Sequence, residues 1–114
     1  MSDHEGGLTL KIHRDGDTAT VRCHGRLVAG VDDAFYAKVK QLLPDCKRIV
    51  LDLTDLTRMD SMGLGALVRL YVSARSAGCR LELINLGKQV RLLIKTANLM
   101  AAFSTIGEHC IKLG

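Results

Sequence analysis

The segment Ile49-Val50-Leu51-Asp52-Leu53 constrains this chain more than any other. It is apolar but for one Asp, and after a short polar connection a long helical pattern opens at Ser61 and closes at Gly78. A short continuous apolar run reads as a central strand covered on both faces. A strand delivered into a helix in this way predicts an α/β domain with right-handed parallel crossovers. Upstream, Leu8, Leu10 and Ile12 alternate with Thr9, Lys11 and His13, and Ala19, Val21 and Cys23 alternate through Thr18 to His24. The turn signal Asp15-Gly16 lies between the two runs, so they predict an antiparallel hairpin.

Asp32-Asp33 places negative charge where a helix dipole favours it. Phe35, Val39, Leu42 and Leu43 then share one face until Pro44, the only proline, stops the helix. In the helix after Ser61, Leu64, Leu67, Val68 and Tyr71 form the apolar stripe, with Arg69, Ser73 and Ser76 on the wet side. Gly78 supplies a left-handed end residue. Arg80 to Asn85 alternates Leu81 and Leu83 against Glu82, a further strand. Lys88 to Ala97 reads as a helix with Val90, Leu93 and Ile94 inward, and Phe103 to Ile106 as a short last strand. These patterns predict an α/β fold: a mixed β-sheet of four to five strands with three to four α-helices packed on it. The domain is single and spans 8–114, behind a flexible lead-in over 1–7.

Composition narrows the function. At 114 residues with 47% hydrophobic content, the chain can fill one core. No stretch approaches the roughly 18 apolar residues of a membrane span, and the first residues lack the apolar centre of a secretory signal. Cys23, Cys46, Cys79 and Cys110 form no Cys-x-x-Cys pair, so reduced thiols and a cytoplasmic location are expected. His24 and His109 adjoin cysteines without ligand spacing, so no metal or cofactor is expected. The +4 net charge is scattered and aromatics are only 4%, which argues against nucleic acid as a partner.

Gly63-Leu64-Gly65 begins like a dinucleotide fingerprint, but the third glycine position is Val68. Catalysis by a serine nucleophile needs a base; His24 is the only histidine expected near the sheet end and no Gly-x-Ser-x-Gly string is present, so the chain does not read as an enzyme. Asp52, Asp55 and Asp60 fall within nine residues; surface pairing of Asp52 and Asp55 with Arg58 or Lys47 is favoured over a cation site.

Ser61 sits at a strand-to-helix junction. Its hydroxyl is expected to cap the helix, and the same position favours a phosphate, because free backbone N–H groups and the helix dipole both attract negative charge. The whole string Asp60-Ser61-Met62-Gly63-Leu64-Gly65-Ala66-Leu67, with Ile49–Leu53 before it and Gly78, Asn85-Leu86 and Val90…Leu93-Ile94…Thr96…Asn98-Leu99 after it, resembles the STAS domain family. Within that family it is most similar to the bacterial anti-sigma factor antagonists, over about residues 8–106.

The resemblance implies a STAS-like fold. It also implies that Ser61, after the acid Asp60, is phosphorylated by a partner anti-sigma factor, a serine kinase. The implied function is a binding module that sequesters the kinase, frees a sigma factor and is switched off by phosphorylation. A scaffold subunit of a lipid-transport or stressosome-like assembly is the alternative. Arg58, Met59, Asp60, Met62, Gly63 and Arg69 are the expected partner-binding residues, with Gly63 and Gly65 thinning the first helical turn for a close approach.

The chain departs from the family pattern in three places. Gly25-Arg26-Leu27-Val28 stands where the family often has Gly-Glu-Leu-Asp. The C-terminal helix is absent or reduced to Glu108–Leu113, and the chain is basic where many relatives are acidic. A basic antagonist implies a partner with a more acidic face.

Overall fold

The alternating residues near the N-terminus build the sheet's antiparallel side. The computed structural model describes residues 2–97, 103–106 and 110–113. Strands β1 (Ser2–Glu5), β2 (Leu8–Asp15) and β3 (Thr18–Leu27) run antiparallel in succession, with Leu10 opposite Cys23 and Ile12 opposite Val21. Gly16 turns the hairpin at φ +62°, a conformation open to glycine at little steric cost. The segment expected to be a loose lead-in thus supplies a strand, because backbone pairing to the edge of β2 needs no apolar side chains.

Helix α1 (Asp32–Lys40) and a short 3₁₀ turn (Leu43–Asp45) lead to β4 (Arg48–Met59), parallel to β3. Helix α2 (Ser61–Ser76) leads to β5 (Arg80–Ile84), parallel to β4. Helix α3 (Lys88–Thr96) precedes β6 (Phe103–Ile106) and β7 (Cys110–Leu113). The sheet order is β1-β2-β3-β4-β5-β7-β6. The mixed α/β architecture is as expected. β1 and the β6–β7 pair extend the sheet to seven strands among the described residues. Cys110–Leu113 is extended against β5 rather than helical, and Asn98 and Leu99 lie outside the described residues.

One core lies between the helices and one sheet face. Val21, Cys23, Ile49, Leu51, Leu81 and Leu83 meet Phe35, Leu67, Leu70 and Ile94 there, all essentially without exposure. Each large side chain buried in this way contributes about 1.5–3 kcal/mol. In this setting burial pushes the Cys23 thiol up to about 12, so it stays protonated and inert. α2 buries Leu64, Ala66, Leu67, Leu70 and Ala74. Its apolar face is therefore rotated from the expected stripe, with Val68 and Tyr71 half-buried at its flank.

The described helices pack on one face of β4; the second face, expected to be covered as well, carries the buried Val50 and Glu82 together with Asp52, Thr20 and Arg22. Glu82 is buried there and pairs with Arg48 Nη2 at 2.6 Å. No helix among the described residues is long and apolar enough to cross a membrane.

Candidate functional site

β4 runs six residues past Leu53, so the segment expected to be a loop is strand up to Met59. This delivers Asp60 and Ser61 to the same end of the sheet as the β3–α1 connection. The Asp60 backbone N–H donates to the Leu27 carbonyl at 3.3 Å, and the Leu64 N–H donates to the Asp60 carbonyl at 2.9 Å. The Asp60 side chain works in two directions. Oδ1 accepts from the Gly63 N–H at 3.0 Å, and Oδ2 accepts from the Ala29 N–H at 2.9 Å. Asp60 is thus the helix cap, and Ser61, expected in that role, is the first helical residue. An ionised carboxylate is the stronger acceptor at a helix start. The Ala29 and then the Gly63 N–H groups hold the Asp60 carboxyl below its ordinary range.

With capping assigned to Asp60, the Ser61 side chain is exposed and bonded to no described residue. Beside it, Met62 is 52% exposed. Ser61, Met62, Gly65, Arg69, Asp32 and Asp33 line one shallow depression between the starts of α1 and α2. Arg69 Nη2 lies 3.0 Å from Asp33 Oδ1 and 3.8 Å from Asp32 Oδ2, and its guanidinium stacks over the Tyr36 ring at 4.6 Å. Arg69, expected to face a partner freely, is thus already engaged within the molecule. Acids do lie near Ser61, but they come from the first turn of α1 rather than from Arg26 and Val28. The Asp32-Asp33 dipeptide was the signal, and read alone it indicated only a helix start.

Two expected contact residues belong to the core. Met59 is fully buried: after Leu53 the strict alternation of β4 breaks at two irregularities in its pairing with β3, and Leu56 and Met59 turn inward at spacings of three. Gly63 is also buried, and a Cβ there would run into the Leu27 carbonyl oxygen. The close passage of β3 is reason enough for glycine there. Gly65 is different: it is exposed with open space where a Cβ would stand. Arg58 is exposed at the end of β4.

Sequence reasoning missed Gln89. Its Oε1 accepts from the Met59 N–H at 2.9 Å and its Nε2 donates to the Met59 carbonyl at 2.7 Å. One side chain from α3 thereby satisfies both backbone groups of the residue before Asp60. Nothing in local spacing could show a bond across 30 residues.

The other acids have separate partners. Asp55 pairs with Arg22 at 2.7 Å, and Asp52 accepts from the Thr54 N–H at 3.0 Å and from Asn85 at 3.2 Å, so neither pairs with Arg58 or Lys47 as expected. His24 lines a different depression with Thr9, Lys11, Arg22 and Asp55, so it offers no base to Ser61.

A family model for the STAS domain matches residues 9–109 of this chain. A STAS-domain containing protein of Pseudomonas aeruginosa is 28% identical over 96 residues, which cover 84% of this chain and 95% of that protein. Among solved structures, an anti-sigma factor antagonist from Mycobacterium paratuberculosis superposes with a TM-score of 0.76 at 18% identity, covering 89% of this chain and 86% of that one. The anti-sigma factor antagonist SpoIIAA in its unphosphorylated form gives 0.70 at 20% identity, over 79% and 81% of the two chains.

Proposed function

We propose that this chain, which belongs to the STAS domain family, is an anti-sigma factor antagonist whose grip on its partner is released by phosphorylation of Ser61. The observation that carries the reading is the division of labour at the start of α2. Asp60 does the structural work of the cap and leaves the adjacent hydroxyl exposed and unengaged. A kinase can modify that hydroxyl without opening the helix. The Ser61 oxygen attacks the γ-phosphorus of ATP, ADP departs, and the hydroxyl proton is released.

The contact surface in this reading is Ser61, the exposed Met62, Arg58 and the bare backbone at Gly65. Met62 offers an adaptable apolar contact. Phosphorylation adds about −1.5 to −2 charge to this patch. With Asp32, Asp33 and Asp60 nearby, an apolar partner surface would have to bury the phosphate against like charge. The partner is an anti-sigma factor that is itself the kinase, and the protein acts by binding rather than catalysis.

The test is capture of partners by the unphosphorylated chain. The captured kinase is then incubated with wild type, Ser61→Ala and Ser61→Asp in the presence of ATP. Wild type gains one phosphate on Ser61 and loses its partner; Ser61→Ala keeps the partner and gains nothing; Ser61→Asp binds at least tenfold more weakly. Equal binding by Ser61→Asp and wild type, with no mass gain on Ser61, would overturn the reading in favour of a constitutive scaffold.

A further inference from the structure

We propose that Arg69 receives the phosphate of Ser61, leaving Asp33 and the Tyr36 ring to do so, and so relays the modification from α2 to α1. This rests on the reading of Ser61 as the modified residue. Ser61, Gly65 and Arg69 stand at i, i+4 and i+8 of α2, stacked along one helix face. Side chains on a helix lean toward its N-terminus, so Arg69 leans toward Ser61.

Gly65 stands between them. It has open space at its Cβ position and no left-handed backbone, so nothing in the fold requires glycine there. Glycine inside a helix weakens it relative to alanine. What its bareness provides is an unobstructed track from residue 61 to residue 69.

The present engagement of Arg69 is exchangeable. Asp33 is 88% exposed in its side chain, and such an ion pair is worth little in water; the buried Asp32 stands at 3.8 Å, too far for a hydrogen bond to hold the guanidinium. A phosphate dianion offers a guanidinium two-pronged, charge-assisted bonds that a single bond to Asp33 and a longer contact with Asp32 do not match. Among the residues lining the depression, Arg69 is the only cation. Once it turns to the phosphate, Asp32 and Asp33 are left facing a dianion and the Tyr36 ring loses its guanidinium, while the Tyr36 hydroxyl keeps its 2.7 Å hydrogen bond to Ser73 of α2.

The experiment uses the full chain with phosphoserine installed at position 61 during translation, so it needs no kinase. The ³¹P signal of the phosphoserine is titrated in wild type, Arg69→Gln, Arg69→Lys and Gly65→Gln, with amide spectra confirming the fold. The expected result is a second phosphate pKa lower in wild type than in Arg69→Gln by about half a unit. Arg69→Lys should recover part of the difference, and Gly65→Gln should abolish it by filling the track. The Tyr36 ring signals should also shift on phosphorylation in wild type and not in Arg69→Gln. Identical titrations for wild type and Arg69→Gln would overturn the proposal. Failure of the cognate kinase to modify Ser61 would instead strike the functional reading, and the two outcomes are read in separate experiments.

Discussion

The carboxylate of Asp60 accepts the backbone N–H of Ala29 at 2.9 Å, joining the loop after β3 to the start of α2 across 31 residues. Its other oxygen caps α2 through Gly63. One side chain therefore fixes where Ser61 stands relative to α1, and the placement of the candidate site depends on it.

Asp60→Ala removes both bonds and should cost about 2.5–4 kcal/mol, a typical cap at about 1 plus a hydrogen bond to a charged group at about 1.5–3. Urea denaturation measures it. Ser61→Ala should stay within about 0.5 kcal/mol of wild type, as a surface change away from the cap. A larger loss for Ser61→Ala than for Asp60→Ala would return the capping role to the serine.

The pH dependence follows with a definite sign. The Asp60 pKa is depressed in the folded state, so its contribution is complete above the unfolded value and is lost as pH falls through the folded one. The stability gap between wild type and Asp60→Asn should therefore be constant near neutrality and shrink in acid, below about pH 4. Denaturation curves from pH 7 to pH 3 check this.

Gln89→Glu tests the clamp on Met59. A carboxylate still accepts from the Met59 N–H but cannot donate to its carbonyl, whereas the protonated acid can. The folded pKa of the new Glu should therefore rise above its unfolded value of about 4.3. Sign and window follow: relative to wild type, the variant is least destabilised in acid and loses about 1–3 kcal/mol as pH rises through the folded pKa.

Two glycines in one helix should respond oppositely. Gly63→Ala drives a Cβ into the Leu27 carbonyl and should cost about 1–3 kcal/mol through overpacking. Gly65→Ala meets open space and should stabilise by about 0.5–1 kcal/mol. Thermal unfolding of the pair separates the required glycine from the permissive one.

The sequence by itself determined most of the elements, though not β1, the strand Cys110–Leu113 or the reach of β4 to Met59, and it determined the inward faces of the central strands up to Leu53. Alternation at Leu8–Ile12 and Ala19–Cys23, the run Ile49–Leu53 and the helical stripes at Phe35 and Val90 are local periodicities, and local geometry converts them directly into strands and helices. The Asp60-Ser61 junction was legible for the same reason. Its residues are neighbours in the chain, and the strand-to-helix order around them is written in the hydrophobic pattern.

Tertiary structure decided which residue of that junction does what. Asp60 is the cap because Ala29 arrives to use its second oxygen, and Gly63 is glycine because Leu27 passes against it. Met59 is core because β4 keeps pairing with β3 to Leu27. Arg69 is tied down because α1 brings Asp33 and Tyr36 beside it. Each of these contacts joins residues about 30 or more apart in the chain, and no local period reports on such pairs. Periodicity fixes which way a side chain points; only the packing of one element on another fixes what it meets.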